Sequence, residues 1–184
     1  NFEPEAWSLR WYRQMVGISS IGDTTVVTDK WMLGTRNSFF IGIVATLLAT
    51  ALGTVAALGL SRPHMPFKAV LMAILISPMI VPLIITAAGM FFFYSKVGLT
   101  HTYLGLILAH TALGTPFVVI TVTATLTGFD TNLIRASQSL GADTMRTFFK
   151  VIMPLILPGV ISGGLFAFIT SFDEVVIVMF VGSV

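Results

Sequence analysis

The sequence predicts an all-α, polytopic helical membrane protein, and its composition and the placing of its charges carry that prediction. Of the 184 residues, 55% are hydrophobic and only 10% are charged, whereas a soluble domain has about 25% charged residues. The charges are also clustered, because residues 39–60 and 69–95 contain none. Both runs are long enough to cross a bilayer core, which takes about 20 apolar residues.

The composition also disfavours several kinds of partner and site. The net charge of +2 is too small to argue for a nucleic-acid partner, and the absence of cysteine excludes disulfides, thiolate metal sites and cysteine nucleophiles. His101 and His110 are too isolated to suggest a metal site, so we expect neither a metal nor a cofactor. The opening NFEPEAW has no features of a signal peptide. Because the chain also stops within an apolar run, we expect it to be incomplete at both ends.

A polar lead-in over residues 1–36 is predicted to precede a transmembrane domain over residues 37–184. Trp7 and Trp11, four residues apart and close to Tyr12, suit a short helix lying at the membrane interface. A surface helix packed on a neighbouring subunit fits the same residues. The lead-in then contains a turn or loop, GDTTVVTD, in which Asp23 and Asp29 are possible helix caps.

Four spans are predicted, over about residues 38–60, 69–94, 103–126 and 151–172. Small residues at every fourth position of the first span predict close helix packing. Prolines in the other spans predict kinks, which could border a pathway or serve packing alone, and the Pro/Gly-rich fourth span suits a bend or hinge. Thr111 and Thr115 could line a pathway or bond their own helix. The residues concerned are Ala45, Ala49, Gly53 and Ala57, then Pro78, Pro82, Pro116, Pro154 and Pro158.

A polar segment, residues 130–150, separates the third and fourth spans. Asp130 or Thr131 can cap a short helix over residues 132–140, and Gly141 can end it in a left-handed conformation. Asp143 can then cap a second helical turn from Thr144 to Lys150. The pattern predicts two short helices joined by a glycine elbow, which is either a docking surface or an ordinary loop between spans.

The run RASQSLGADTMRTFFKVIMPLILP resembles the EAA loop of the permeases of bacterial ABC importers. Ala136, Ser137, Gly141 and Pro154 lie in the register of that motif, while Arg135 stands where the family usually has Glu. The resemblance implies a type I importer permease-like core and a cytoplasmic coupling helix that docks in a cleft of an ATPase. The implied coupling residues are Arg135, Ala136, Ser137, Gly141, Ala142 and Asp143.

A second polar group, Ser171, Phe172, Asp173 and Glu174, lies inside the last apolar run. Charged residues in a span usually face a cavity, pathway or partner, although both carboxylates would simply be solvated at the outer membrane face. Adjacent carboxylates on a helix point about 100° apart, so only one is expected to face a given cavity. This segment resembles the permeases of spermidine/putrescine-type importers, which implies a substrate pathway for a cationic polyamine.

The resemblance further implies a bacterial inner-membrane permease that works with ATP-binding subunits, a second permease subunit and a periplasmic solute-binding protein. If the polar segment is cytoplasmic, the whole chain carries five basic residues on each side, whereas the short loops alone carry five inside and one outside. Counted over the short loops, the positive-inside rule favours this orientation. An ABC permease for an anion or metal complex and a proton-coupled secondary transporter remain alternatives. An intramembrane enzyme is disfavoured because no set of catalytic groups has a recognisable spacing. The basic residues counted are Arg62, Lys68, Arg135, Arg146 and Lys150 inside and Lys96 outside.

Overall fold

The computed structural model describes residues 25–62, 64–130 and 132–182, and all regular secondary structure within them is helical. Three of these helices are long and apolar enough to cross a membrane, or four spans are present if one sharply bent pair counts as a span. The all-α prediction is therefore confirmed. The elements are α1 (Thr25–Leu60), α2 (Lys68–Ile80), α3 (Leu83–Val97), α4 (Tyr103–Thr127), α5 (Asn132–Ser139), α6 (Thr144–Thr147), a π-helical turn (Phe148–Ile152), α7 (Met153–Asp173) and α8 (Val176–Val181).

Helix α1 is longer than the predicted first span, because it already includes residues 25–36 of the predicted lead-in. The loop expected at GDTTVVTD is thus wrong from Thr25 onwards, and Asp29 lies within the helix. No proline lies between Thr25 and Leu60, so nothing in the backbone prevents the helix from starting well before residue 38. The predicted interfacial residues Trp7, Trp11 and Tyr12, and the possible cap Asp23, lie outside the described residues.

Helices α1, α4 and α7 pack against one another, with α4 at the centre. The predicted row of small residues in α1 is buried: Ala45, Ala49 and Ala57 are at most 1% exposed. A Cβ atom added to Gly53 would lie 2.7 Å from Cβ of Val118, which is too close for any real side chain. Small residues therefore bring the backbones of α1 and α4 together, as the spacing predicted.

The second predicted span, residues 69–94, is two helices rather than one. α2 and α3 meet at a bend of 102° around Val81 and Pro82, a geometry that fits either a broken span or a re-entrant loop. Pro82 cannot donate a backbone hydrogen bond, and its ring restricts the preceding residue to an extended conformation. Val81 is indeed extended (φ −71°, ψ 134°). Pro78, by contrast, is accommodated inside α2.

Helix α7 continues without a break through Pro158, and the bend or hinge predicted for the fourth span stays a prediction. The helical run begins earlier than predicted, since α6, the π turn and α7 follow one another directly from Thr144 to Asp173. The predicted short second helix of the polar segment is thus the first part of this long run. After Asp173 the helix stops, and α8 follows.

The far end of the core, opposite the polar segment, is closed by α8 and the loop before α4. α8 packs against α3 and α4. The backbone N–H of His101 donates to the carbonyl of Val181, the last residue of α8, with an N–O distance of 2.7 Å. Because α8 ends beside the start of α4, the break between α7 and α8 lies alongside the first turns of α4 rather than beyond them.

Candidate functional site

The polar segment folds as two helical arms joined at Gly141, and we call residues 132–147 the hairpin. Gly141 has a φ of +82°, a left-handed conformation that glycine adopts with the least strain. Two backbone bonds close the turn: Gly141 N–H donates to the carbonyl of Gln138 (2.9 Å), and Ala142 N–H donates to the carbonyl of Ser137 (3.0 Å). This pair of bonds is the Schellman motif. The glycine elbow predicted from the sequence is present.

Aspartates cap both arms of the hairpin. Oδ1 of Asp143 accepts from the backbone N–H of Arg146 at 2.7 Å, which satisfies one of the free donors at the start of α6. Oδ1 of Asp130 accepts from the backbone N–H of Asn132 at 2.9 Å. Thr131, the alternative cap, lies outside the described residues. The sequence therefore specifies both starts and the turn of the hairpin locally.

Ser137 has a different place from the one expected for it. Its hydroxyl lies 2.8 Å from the hydroxyl of Thr147, which is only 3% exposed, and also donates to the carbonyl of Ile134 at 2.9 Å. Ser137 thus joins the two arms from inside the hairpin rather than serving only as a small residue on its outer surface. The spacing of ten residues between Ser137 and Thr147 gives no signal of this contact in the sequence.

The outward surface of the hairpin combines small, charged and apolar side chains. Arg135, Ala136, Gly141 and Asp143 are exposed and Ala142 is half-buried. Within the described residues Arg135 forms no ion pair, so its guanidinium group is free to meet an outside partner. Exposed apolar side chains surround these residues, which gives the hairpin the composition of a docking surface. They are Leu133, Leu140, Met145 and Phe149.

Behind the hairpin is a cavity of about 640 Å³, bounded by the ends of α1 and α4 and by the π turn. Most of its lining residues are apolar, and Arg62 and Gln138 are among the polar ones. The hairpin is therefore joined to the helical core mainly through the Thr144–Asp173 run, while its first arm borders open space.

The second predicted group lies near the far end of the core, where α7 meets α4. Ser171 is buried (6% exposed), and its Oγ lies 2.8 Å from Nδ1 of His110, which is 3% exposed. The sequence did not connect these residues, because they are 61 positions apart. A histidine within an apolar span was the available signal, but it does not identify a partner.

Phe172 lies in an aromatic cluster between α1 and α7. Its ring centroid is 5.0 Å from that of Phe39 and 5.7 Å from that of Phe168. Phe39 and Phe172 remain 46% and 45% exposed, so the cluster presents open aromatic surface beside Asp173. Aromatic faces of this kind attract organic cations.

Asp173 and Glu174 are separated by the end of α7, so the predicted 100° relation between two residues of one helix is wrong. Asp173 is the last residue of α7 and is exposed, whereas Glu174 is extended (φ −78°, ψ 109°) and half-buried. Oε1 of Glu174 accepts from the backbone N–H of Ile177 at 2.9 Å, which caps α8. This hydrogen bond lies at the point where α7 ends and α8 begins.

Thr111 and Thr115 do not contribute to this group. Their hydroxyls donate to the carbonyls of Ile107 and Thr111, four residues earlier in α4, at 2.7 Å each. They therefore satisfy their own helix, which is the second of the two interpretations that the sequence allowed.

Both sites lie in a part of the chain that matches one known protein family. Residues 49–184 match the family described as binding-protein-dependent transport system inner membrane component. Both the hairpin and the break between α7 and α8 fall within the matched region.

Several transport proteins are similar to nearly the whole chain. The spermidine/putrescine transport system permease protein PotC of Haemophilus influenzae is 31% identical over 180 residues, covering 98% of this chain and 66% of the relative. PotC of Escherichia coli K12 is 27% identical over 177 residues (96% and 63%). The putrescine transport system permease protein PotI of the same organism is 30% identical over 188 residues (95% and 61%). The chain therefore spans less than two thirds of the length of these relatives.

Proposed function

The chain belongs to the family of binding-protein-dependent transport system inner membrane components, and we propose that it is the permease subunit of an ATP-driven importer in the bacterial inner membrane. It moves a small organic cation, of which a polyamine is the leading example, by alternating access. It performs no covalent chemistry, since ATP is hydrolysed on separate cytoplasmic subunits. A second permease subunit and a periplasmic solute-binding protein complete the complex.

One observation carries this proposal: a single helical run, Thr144–Asp173, connects the hairpin to the acidic break. Thirty helical residues extend about 45 Å, which is more than the thickness of a bilayer core of about 30 Å. A displacement of the hairpin by closing ATPases is therefore transmitted to Asp173 and Glu174 without passing through a flexible loop.

The hairpin supports the coupling part of the proposal. Its exposed residues Arg135, Ala136, Ala142 and Asp143 surround an elbow with open space around Gly141, so the groove of another protein can approach the backbone. Arg135 is expected to meet an acidic side chain or a backbone carbonyl of the ATPase, because a carboxylate is absent at this position.

The far end supports a cationic cargo. Asp173 supplies an exposed carboxylate, Glu174 a half-buried one, and Phe39 and Phe172 supply open aromatic faces beside them. A carboxylate replaces part of the hydration that an ammonium group loses on leaving water, and an aromatic face adds a cation–π contact. The similar proteins named for spermidine and putrescine transport also support a cationic cargo.

A competing observation favours the alternative of an anion or metal-complex permease. Glu174 caps α8, and a carboxylate with a structural task need not contact cargo. That alternative predicts that neutralising Asp173 and Glu174 leaves transport intact. A proton-coupled carrier with Glu174 as relay instead predicts uptake without any ATPase.

The test uses the full-length permease in its complete complex, reconstituted in proteoliposomes with radiolabelled spermidine. ATP hydrolysis and uptake are measured for the wild type and for Asp173→Asn/Glu174→Gln. The proposal predicts ATP-dependent uptake by the wild type and a selective loss of spermidine uptake in the variant. Unchanged spermidine uptake in the variant would show that the two carboxylates do not serve the cargo. Absence of spermidine uptake by the wild type would support the anion or metal-complex alternative, and uptake that proceeds without ATP would support the proton-coupled carrier.

A further inference from the structure

His110 is a buried imidazole to which the proposed transport function assigns no role. It lies two turns into α4 and is 3% exposed, in a part of the core where its neighbours Ile107, Ala109 and Leu113 are apolar. Its Nδ1 lies 2.8 Å from Oγ of Ser171. This contact joins α4 to the last turn of α7, two residues before the helix ends.

Ser171 uses its hydroxyl differently from the threonines of α4. The hydroxyls of Thr111, Thr121 and Thr125 donate to the carbonyl four residues earlier in their own helix, at 2.7–2.9 Å. A buried hydroxyl always has this local solution available in a helix. That of Ser171 instead contacts the ring of another helix, so the contact fixes α7 relative to α4.

Packing alone does not explain why a histidine occupies this position, because its second ring nitrogen is unsatisfied. Nε2 is buried and has no hydrogen-bond partner among the described residues. Depending on the tautomer, this atom is either an unused donor or an unused acceptor, and both are unfavourable away from water. An apolar side chain of similar size would fill the same space without that penalty. The ring therefore has a role other than filling the core.

We propose that His110 is a positioning residue of the cargo pathway, acting through Ser171. Its bond holds the last turn of α7 in register with α4, and this register sets where Asp173 and Glu174 leave the helix. Because Asp173 follows Ser171 by two residues, a rotation of this turn displaces both carboxylates together. The inference rests on the proposed function, since it assigns His110 to the same pathway.

Substitutions that separate the two ring nitrogens test this role. An asparagine amide reaches the place of Nδ1, so His110→Asn can keep the bond to Ser171. His110→Gln reaches further, towards the place of Nε2, and His110→Leu removes both polar atoms. Thr111→Val is the matched control, because it replaces a neighbouring buried hydroxyl that donates to the carbonyl of Ile107 in its own helix and lies 3.5 Å from the carbonyl of Ala45 in α1. Within the described residues this hydroxyl makes no hydrogen bond to α7.

The measurement is the KM and maximal rate of spermidine uptake by the complete complex in proteoliposomes, together with basal ATP hydrolysis. We expect His110→Leu and His110→Gln to raise KM about tenfold, the size of one lost buried hydrogen bond. Basal hydrolysis is expected to stay near the wild-type rate. His110→Asn is expected to recover a KM within about threefold of the wild type, while Thr111→Val leaves it unchanged.

The outcomes separate this inference from the function on which it rests. If the wild type takes up no spermidine, the proposed cargo is wrong. If the wild type transports and His110→Leu changes only the maximal rate and the amount of complex, His110 is merely structural and the inference fails. It also fails if Gln, rather than Asn, restores KM. If His110→Leu does not assemble, the comparison of Asn with Gln still decides between the two nitrogens.

Discussion

The hydroxyls of Ser137 and Thr147 lie 2.8 Å apart and hold the two arms of the hairpin together. Thr147 is buried and begins the approach to the π turn, whereas Ser137 belongs to the exposed first arm. A force applied to the first arm therefore reaches the long helical run through this contact as well as through the turn at Gly141.

We expect Ser137→Ala to reduce the amount of cargo transported per ATP several-fold, because the first arm can then move without displacing Thr147. The lost bond weakens the hairpin by about 1 kcal/mol. The control is Ser139→Ala, since the hydroxyl of Ser139 donates only to Arg135 of its own helix. Equal transport per ATP in the two variants would show that the contact with Thr147 is not used in coupling.

Gly141→Ala should impair coupling through backbone strain alone. A residue with a Cβ atom costs roughly 1–2 kcal/mol in the left-handed conformation, and no neighbouring atom lies within 4 Å of the added Cβ. Gly98→Ala is a matched control, because Gly98 has a φ of +72° and equally open surroundings in the loop after α3. We expect both variants to lose similar thermal stability. Uncoupled ATP hydrolysis is expected for Gly141→Ala alone.

Gly163→Ala is expected to separate α7 from α4. Its new Cβ would lie 2.7 Å from Cα of Val118, a backbone atom that cannot turn aside. Overpacking of this kind costs about 1–3 kcal/mol. Thermal unfolding of the purified complex in detergent should show a lower midpoint for this variant than for Gly89→Ala, whose added Cβ meets nothing within 4 Å. Equal midpoints would contradict the close contact.

Two substitutions of Glu174 separate the effect of its negative charge from the effect of its hydrogen bond at the start of α8. Glu174→Gln keeps an oxygen that can accept from Ile177 N–H, so it should preserve stability while raising the KM for spermidine. Glu174→Ala also removes the cap of α8, which costs about 0.5–2 kcal/mol. Uptake kinetics and thermal unfolding are measured for both. Wild-type kinetics in Glu174→Gln would indicate that this carboxylate acts only as a cap.

Local signals in the sequence predicted much of the core and of the hairpin. The predicted spans 38–60, 103–126 and 151–172 lie within the three long helices, because the length of apolar sequence needed to cross a bilayer is fixed. Gly141 and Asp143 predicted the elbow, since both act on the few backbone groups next to them. The small residues of α1 predicted its buried face, because residues four apart lie on the same side of a helix.

These local signals could not predict contacts between residues that are far apart in the sequence. Pro82 predicted a distortion, but it predicted neither the angle of 102° nor the packing of α3 against α8. The bond between His110 and Ser171 joins helices that no periodicity relates. Glu174 was predicted to share a helix with Asp173, because no local signal predicted its hydrogen bond to the backbone of Ile177.

The π turn at Phe148–Ile152 sets the angle about the helix axis at which the hairpin lies relative to α7. The N–H of Met153 bonds the carbonyl of Phe148, five residues back, so this turn holds one more residue than an α-helical turn. Removing one residue here would restore α-helical geometry while rotating the hairpin by about 100° about the helix axis relative to α7. The surface that carries Arg135 would then point in a different direction relative to Asp173. The extra residue thus acts as an angular offset between the two ends of the molecule.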